Sequence, residues 1–393
     1  MAKKSLAERL KLIDSISKNI NAKAGKDIVG RISKNEAMQE KLKAKFISTP
    51  SMNLNEVLGG GWPKGNISIV CGEEDSGKTA ILLETIGKNM AEDPDFVALW
   101  LESEASLKDM TLDMFNIDRD RFILIEHDRA GAGEEAVNRL EAYLAAGVAD
   151  MVVINSLKCL VPSEEFKKDM NSLQVGVSAR FNGKMIRKLT AIVDEYEIAM
   201  VIVQHLTTQI GILHGDPLTL AGGKAIRYGA MMIVDFRKRS IQESDPIKRE
   251  EGMKIGVTIK KNHVITNRNP YLKTQYYIIY GEGTEVYLEA LDLALSQGIL
   301  TKAGAFIRVP DENGDAKIVN GEKMQWQGAA KFRQYCMDNT EFFEDLKKSI
   351  RGEVSFMSET EVAEAKEEEA RDEEGLEEDV IAIAKKAKEK NEK

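Results

Sequence analysis

The chain is poor in residues that staple or ligate. Its 393 residues include 3 cysteines and 4 histidines. Cys71, Cys159 and Cys336 are far apart and odd in number, which excludes a disulfide framework and a cysteine metal cluster. The histidines are equally dispersed, so no zinc site is expected. No uncharged apolar run approaches the ~18 residues of a membrane-spanning helix. The N-terminus, MAKKSLAERLKLIDSI, has basic residues but no continuous apolar stretch, so no secretory leader is expected. A reducing cytoplasm is the expected compartment. With 43% hydrophobic and 30% charged residues, the bulk of the chain is neither collagen, coiled coil nor fully disordered. The length suggests two or three domains, or one large core with appendages.

The net charge of -9 is segregated. Residues 1–49 carry 12 Lys/Arg against 5 Asp/Glu, and residues 353–379 carry 13 acids against 2 bases. A basic head and an acidic tail create local fields that the overall balance conceals.

Residues 4–20 read as an amphipathic helix, and IVGRI after it as a short strand. From Asn66 the chain alternates. NISIVCG, FVALWLE, FILIEH, ADMVVINS and IAMVIVQH read as strands, with helical patterns following most of them. Such alternation predicts an α/β fold with a mainly parallel twisted sheet. MMIVDFRKRS, GMKIGVTIKKN and TQYYIIYG follow without helices between them and predict an antiparallel extension of that sheet. Four regions result: an N-terminal segment (1–49), an α/β core (50–284), a small α+β module (285–350) and an acidic, flexible tail (351–393).

Gly72-Glu73-Glu74-Asp75-Ser76-Gly77-Lys78-Thr79 fits G-x-x-x-x-G-K-T between a strand and a helix, with Ala80 following. Such glycines let backbone N–H groups close around phosphate, and the helix N-terminus attracts the anion. Lys78 is placed for the terminal phosphates and Thr79 for Mg²⁺, so ATP with Mg²⁺ is the expected ligand. Three acids make the loop unusually negative. A metal-supporting acid is expected at a neighbouring strand end, but ADMVVINS ends in Asn155, where a carboxylate would serve a cation better. Glu102 and Glu104 end another strand, and a carboxylate there could activate a water.

Several motifs in order resemble the RecA family of homologous recombinases. They are LNEVLGGGWPKG, GEEDSGKT, LWLESEASL, ADMVVINS, VGVSARFNGKMIRKL, IGILHGDPLTLAGGKAIRYGA, IYGEG and ALDLALSQGILTKAGAF. The resemblance runs from about Leu54 to about residue 350 and suggests a divergent branch, such as a phage- or plasmid-encoded recombinase. It implies a RecA-like P-loop ATPase core. Glu104 matches the family's water-activating Glu, and Asn155 stands at its metal-supporting Asp. His205 stands at the Gln that senses the γ-phosphate, although a strand-end histidine is the plainer reading of that residue alone.

The resemblance further implies two DNA-binding loops, at about Pro162–Gly176 and Leu206–Gly223. Val175 and Ile210 hold the positions of apolar wedges between bases. Arg180 and Arg187 match basic positions of the helix after the first loop. Gly211, Gly222 and Gly223 would bring backbone N–H groups to phosphates. Taken singly, those glycines also fit surface turns. Lys261 and His263 match residues that reach the neighbouring subunit's ATP in family filaments. Tyr280 matches an aromatic that packs on adenine, and Tyr228 an interface aromatic. Residues 1–49 stand at the polymerisation segment, whose match lies in the position and amphipathicity of the helix at 4–20 rather than residue by residue.

The function expected from this resemblance is a DNA-dependent ATPase that forms helical filaments on single-stranded DNA and catalyses strand exchange with duplex DNA. A single-strand-binding protein or mediator would be a natural partner. The acidic tail would act as a brake on DNA binding or serve only as a solubilising segment. An ATP-switched, weakly hydrolysing DNA-coating protein and a RecA-fold hexameric helicase are the alternatives. The motif order after His205 disfavours the helicase.

Overall fold

The computed structural model describes residues 4–127, 133–166, 176–208, 218–220, 224–242, 246–265, 272–319, 321–354 and 356. They form two compact units that divide between Thr284 and Glu285.

The first unit opens with α1 (Leu6–Ala24). A capping box starts it: the Glu8 amide donates to Ser5 Oγ at 3.3 Å, and the Ser5 amide to Glu8 Oε2 at 2.9 Å. Gly25, left-handed at φ 67°, ends it. IVGRI is not a strand. The Asn21 side chain accepts from the amides of Ile28 and Val29 and donates to the Val29 carbonyl. The backbone groups that a sheet partner would need are therefore occupied, and Ile32–Lys34 turns into a single 3₁₀ segment.

A short helix α2 (Met52–Leu58) precedes the main sheet. The sheet's elements in chain order are β1 (Asn66–Gly72), α3 (Lys78–Glu92), β2 (Ala98–Glu102), α4 (Asp109–Met114), β3 (Phe122–Glu126), α5 (Gly133–Ala145) and β4 (Met151–Asn155). Then follow α6 (Val177–Glu195), β5 (Ala199–Thr208), β6 (Leu218–Leu220), α7 (Lys224–Gly229), β7 (Met232–Arg239), β8 (Gly252–Asn262), β9 (Lys273–Ile279) and β10 (Gly283–Thr284). The strand order is β10-β9-β8-β7-β1-β5-β4-β2-β3, with β6 paired to β5. From β7 to β3 every neighbouring pair is parallel. The β7–β8, β8–β9, β9–β10 and β5–β6 pairs are antiparallel.

The two halves of the sheet are buried differently, and the sequence pattern follows. In β4, Met151 and Val153 join the core beneath α2 and α3, while Val152 and Ile154 join the core beneath α5 and α6. A strand covered on both faces needs apolar residues at successive positions. In β8 and β9 only one parity enters a core: Ile255, Val257, Ile259, Tyr276 and Ile278. The other parity carries Lys254, Thr258 and Lys260, so the strand alternates.

The second unit contains α8 (Val286–Ser296), the three-stranded sheet β11 (Thr301–Ala303), β12 (Phe306–Arg308) and β13 (Gln325–Gln327), then α9 (Gly328–Asp338) and α10 (Thr340–Ile350). Trp326, Phe332, Tyr335 and Phe342 stack within it at centroid distances of 4.9–6.5 Å. The acidic tail lies outside the described residues apart from its first few positions.

Candidate nucleotide site

Parallel strands bring their C-terminal ends to one edge, and the turn after β1 leads directly into α3. Gly72 lies so close to β7 that a Cβ would meet the Phe236 carbonyl oxygen at 2.2 Å. Gly77 is left-handed at φ 76° and provides no capping side chain for α3. The first N–H groups of the helix are thereby left for a ligand rather than for the protein. This arrangement fits an anion, and phosphate above all.

A cleft of about 530 Å³ opens over the loop. Lys78 and Thr79 at the start of α3, and Glu104, Asn155 and His205 at or near three strand ends, all singled out from sequence, line it together with Glu74–Ala80. Lys78 is buried, and its ammonium donates to the Gly72 carbonyl at 3.3 Å and to Ser76 Oγ at 3.1 Å. Burial pushes its pKa down, and the Glu104 carboxylate opposes that shift. Glu104 is held on two sides: the Ser156 hydroxyl donates to Oε1, and His205 Nε2 lies 2.8 Å from the same oxygen. A carboxylate so oriented, facing the cleft, is equipped to hold a water by its proton.

Asn155 is fully buried. Its Nδ2 donates to Glu102 Oε2 at 3.1 Å and to Ser106 Oγ at 3.1 Å. Its Oδ1 has no partner among the described residues. The half-exposed Thr79 hydroxyl and this oxygen are the groups that suit a hard cation, Thr79 directly and Asn155 through a bound water. Among the described residues no cluster of three His, Cys, Asp or Glu could hold a metal unaided. Register pairs Asn155 with Glu102, so a second carboxylate there would face the first across a hydrogen-bond distance.

Sequence reasoning missed four lining residues: Ser106, Val203, Lys238 and Met253. Lys238 and Met253 also line a neighbouring cavity of about 570 Å³ with Arg239, Arg249 and Tyr280. Tyr280 therefore lines the neighbouring cavity and not the cleft itself. Parity along β7 was the available signal, since Lys238 shares the face of Val234 and Phe236, which pack beneath α3.

Lys261 and His263 do not join the cleft. They sit at the end of β8, which pairs with the start of β7, whereas the phosphate loop follows the last residues of β1. Lys261 Nζ donates to the carbonyls of Arg227, Tyr228 and Ala230, closing α7, and burial lowers its pKa with Arg227 assisting. His263 is exposed, and Tyr228 is 77% exposed.

The expected DNA loops are only partly described. Ser163–Phe166 forms one helical turn. The arms Leu206–Thr208 and Leu218–Leu220 pair as β5 and β6, where a loop was expected. Val175, Ile210, Gly211, Gly222 and Gly223 lie outside the described residues. Arg180 and Arg187 are exposed on α6, and Arg180 pairs with Glu164 at 3.4 Å.

Comparison with known proteins agrees with this geometry. A family model described as the RecA N-terminal domain matches residues 11–285. Protein RecA of Aquifex pyrophilus is 28% identical, over 88% of this chain and 93% of its own. Protein RecA of Streptococcus mutans is 28% identical over 93% and 90%, and that of Streptococcus thermophilus 29% over 89% and 87%.

Proposed function

Since the chain belongs to the RecA family of recombinases, we propose that it is an ATP-dependent DNA strand-exchange protein. The observation that carries the reading is the convergence of Lys78, Thr79, Glu104, Asn155 and His205 on one cleft over a phosphate loop. ATP with Mg²⁺ supplies the scissile phosphoanhydride and charge neutralisation when bound. Loop amides and Lys78 would bind the phosphates, and Thr79 and Asn155 would hold the cation. Glu104, aimed by Ser156 and His205, would accept a proton from the attacking water. His205 is placed to exchange its Glu104 contact for one to a terminal phosphate, and it lies three residues before the end of β5, whose last residues form an arm of the second loop.

Filament assembly is the second half of the proposal. Lys261 and His263 lie at the opposite end of the sheet from their own phosphate loop, so the cleft they can serve is another subunit's. Apolar residues of α1 stand exposed, Leu6 by 63% and Ile16 by 49%, as they would if residues 1–49 pack on the next subunit. Single-stranded DNA would bind the two loops and α6 through Arg180, Arg187 and loop amides, with the bases left free to pair. Residues 285–350 would form a separate module, and the acidic tail would compete with duplex DNA. A mediator that displaces a single-strand-binding protein is a compatible partner.

The test is ATP hydrolysis with and without single-stranded DNA. A DNA-dependent recombinase shows turnover that rises on adding the strand. Equal turnover in both conditions overturns the DNA-dependent reading, and no turnover despite ATP-dependent DNA coating favours a switch protein.

A further inference from the structure

Asn155 lines the cleft and keeps a buried side-chain oxygen without a partner among the described residues, and the orientation of its amide is set from the neighbouring strand. An amide carries two N–H donors and one acceptor. Both donors of Asn155 are consumed within the protein, by Glu102 Oε2 and by Ser106 Oγ at the cleft wall, each at 3.1 Å. The Ser106 hydroxyl spends its own proton on Glu102 Oε1 at 3.3 Å, so toward Asn155 it can only accept. Turning the amide over would set Oδ1 against a carboxylate oxygen with no proton between them.

Glu102 is itself held by several partners. It is buried, and Oε1 accepts from the amides of Glu104 and Ser106 at 2.9 and 3.2 Å. Oε2 accepts from the Trp100 indole at 2.8 Å. Trp100 is fully buried in the core beneath α3. Asn155 Oδ1 remains, buried and without a partner among the described residues, in a residue that lines the cleft with Thr79 and Lys78. Buried acceptors are rarely left unmatched, so an orphan of this kind points to a missing donor.

We infer that Glu102 is a positioning residue for the cation of this site: by accepting from Asn155 directly and from the Ser106 hydroxyl, it fixes which way the Asn155 amide faces and so leaves Oδ1 to a water bound to a divalent cation. The negative charge expected at the end of β4 is carried instead by β2, one hydrogen bond behind an amide. The inference rests on the nucleotide reading above. It adds a residue that touches neither nucleotide nor cation.

The experiment measures binding. A fluorescent, non-hydrolysable ATP analogue is titrated with Mg²⁺ against the full chain, and the Mg²⁺ midpoint is read beside the affinity in EDTA. Glu102→Gln keeps the shape but frees the amide to turn, and loss of such a supporting partner costs about 10–100-fold in metal affinity. The midpoint should rise by that factor while affinity in EDTA stays unchanged. Asn155→Asp alone, with two carboxylates in contact, should also raise it. The reversed pair, Glu102→Gln with Asn155→Asp, restores an N–H···O contact between the two positions and should return the midpoint to within about 3-fold of wild type, a coupling that unconnected residues would not show.

An unmoved midpoint in Glu102→Gln overturns the inference, as do additive losses in the reversed pair. If the single variants do not fold, the reversed pair decides: folding with a near-normal midpoint supports the inference, and failure to fold overturns it. Lys78→Ala separates the two levels. Analogue binding that survives this change sinks the nucleotide reading itself. Binding that depends on Lys78 but ignores Glu102 sinks only the present inference.

Discussion

Two groups of residues were singled out for one chemistry, and they differ in completeness. Those over the phosphate loop satisfy one another within the subunit: Ser156 and His205 hold Glu104, and Glu102 and Ser106 hold Asn155. Those at the other end of the sheet and on α1 include exposed residues, with Tyr228 at 77% and Leu6 at 63%. The first group is built by β-sheet register, which places the ends of β1, β2, β4 and β5 side by side. The second presents exposed apolar side chains on α1, with Lys261 closing α7 through three carbonyls. On the proposed reading, one chain would carry the binding and hydrolytic machinery, and assembly would control it.

Substitutions that separate the groups test this contrast, and the largest effect belongs to the cleft. Lys78→Ala removes a charge-assisted phosphate contact and should abolish nucleotide binding in equilibrium titrations. Glu104→Gln should retain binding and lower DNA-stimulated turnover by about 10²–10⁴-fold, measured as phosphate release. On the other side of the contrast, Ile13→Asp with Ile16→Asp should leave nucleotide affinity within about 2-fold and prevent filament formation, seen by light scattering with DNA, because charged residues on a buried stripe oppose docking. Lys261→Ala should act in the same direction but less strongly.

The smallest expected effect is a pH dependence at Lys78. Burial holds its folded pKa below the ordinary lysine value of about 10.4, so in that interval the unfolded chain binds the extra proton. Stability of the nucleotide-free protein therefore gains from Lys78 as pH rises through its folded pKa, and the cost of the buried cation is present below it. Nucleotide affinity moves the opposite way, because the phosphate contact needs the charge. Thermal unfolding of wild type and Lys78→Met between pH 7 and 10 should show the wild-type slope reduced in the variant.

Much of the core was legible in sequence because strands covered on both faces must be largely apolar at successive positions, as Met151–Ile154 is within ADMVVINS. The cleft was legible where a motif fixes local backbone, from Gly72 to Thr79. It was not legible where function depends on register. Nothing in ESEAS or VINS announces that Glu102 and Asn155 are cross-strand neighbours, and Lys238 and Met253 reach the cleft only through strand parity. IVGRI was misread because its backbone is satisfied by Asn21, a side chain outside the segment. The paired arms around residues 209–217 were hidden by their brevity, since three-residue strands carry almost no periodic signal.

The central claim, that this chain exchanges DNA strands under the control of ATP, is tested most directly by incubating it with ATP, Mg²⁺, a single strand and either a homologous or a heterologous duplex. Joint molecules should form with the homologous duplex alone and should vanish without ATP and in Lys78→Ala. Joint molecules that form equally with heterologous DNA, or that persist in Lys78→Ala, would contradict the account.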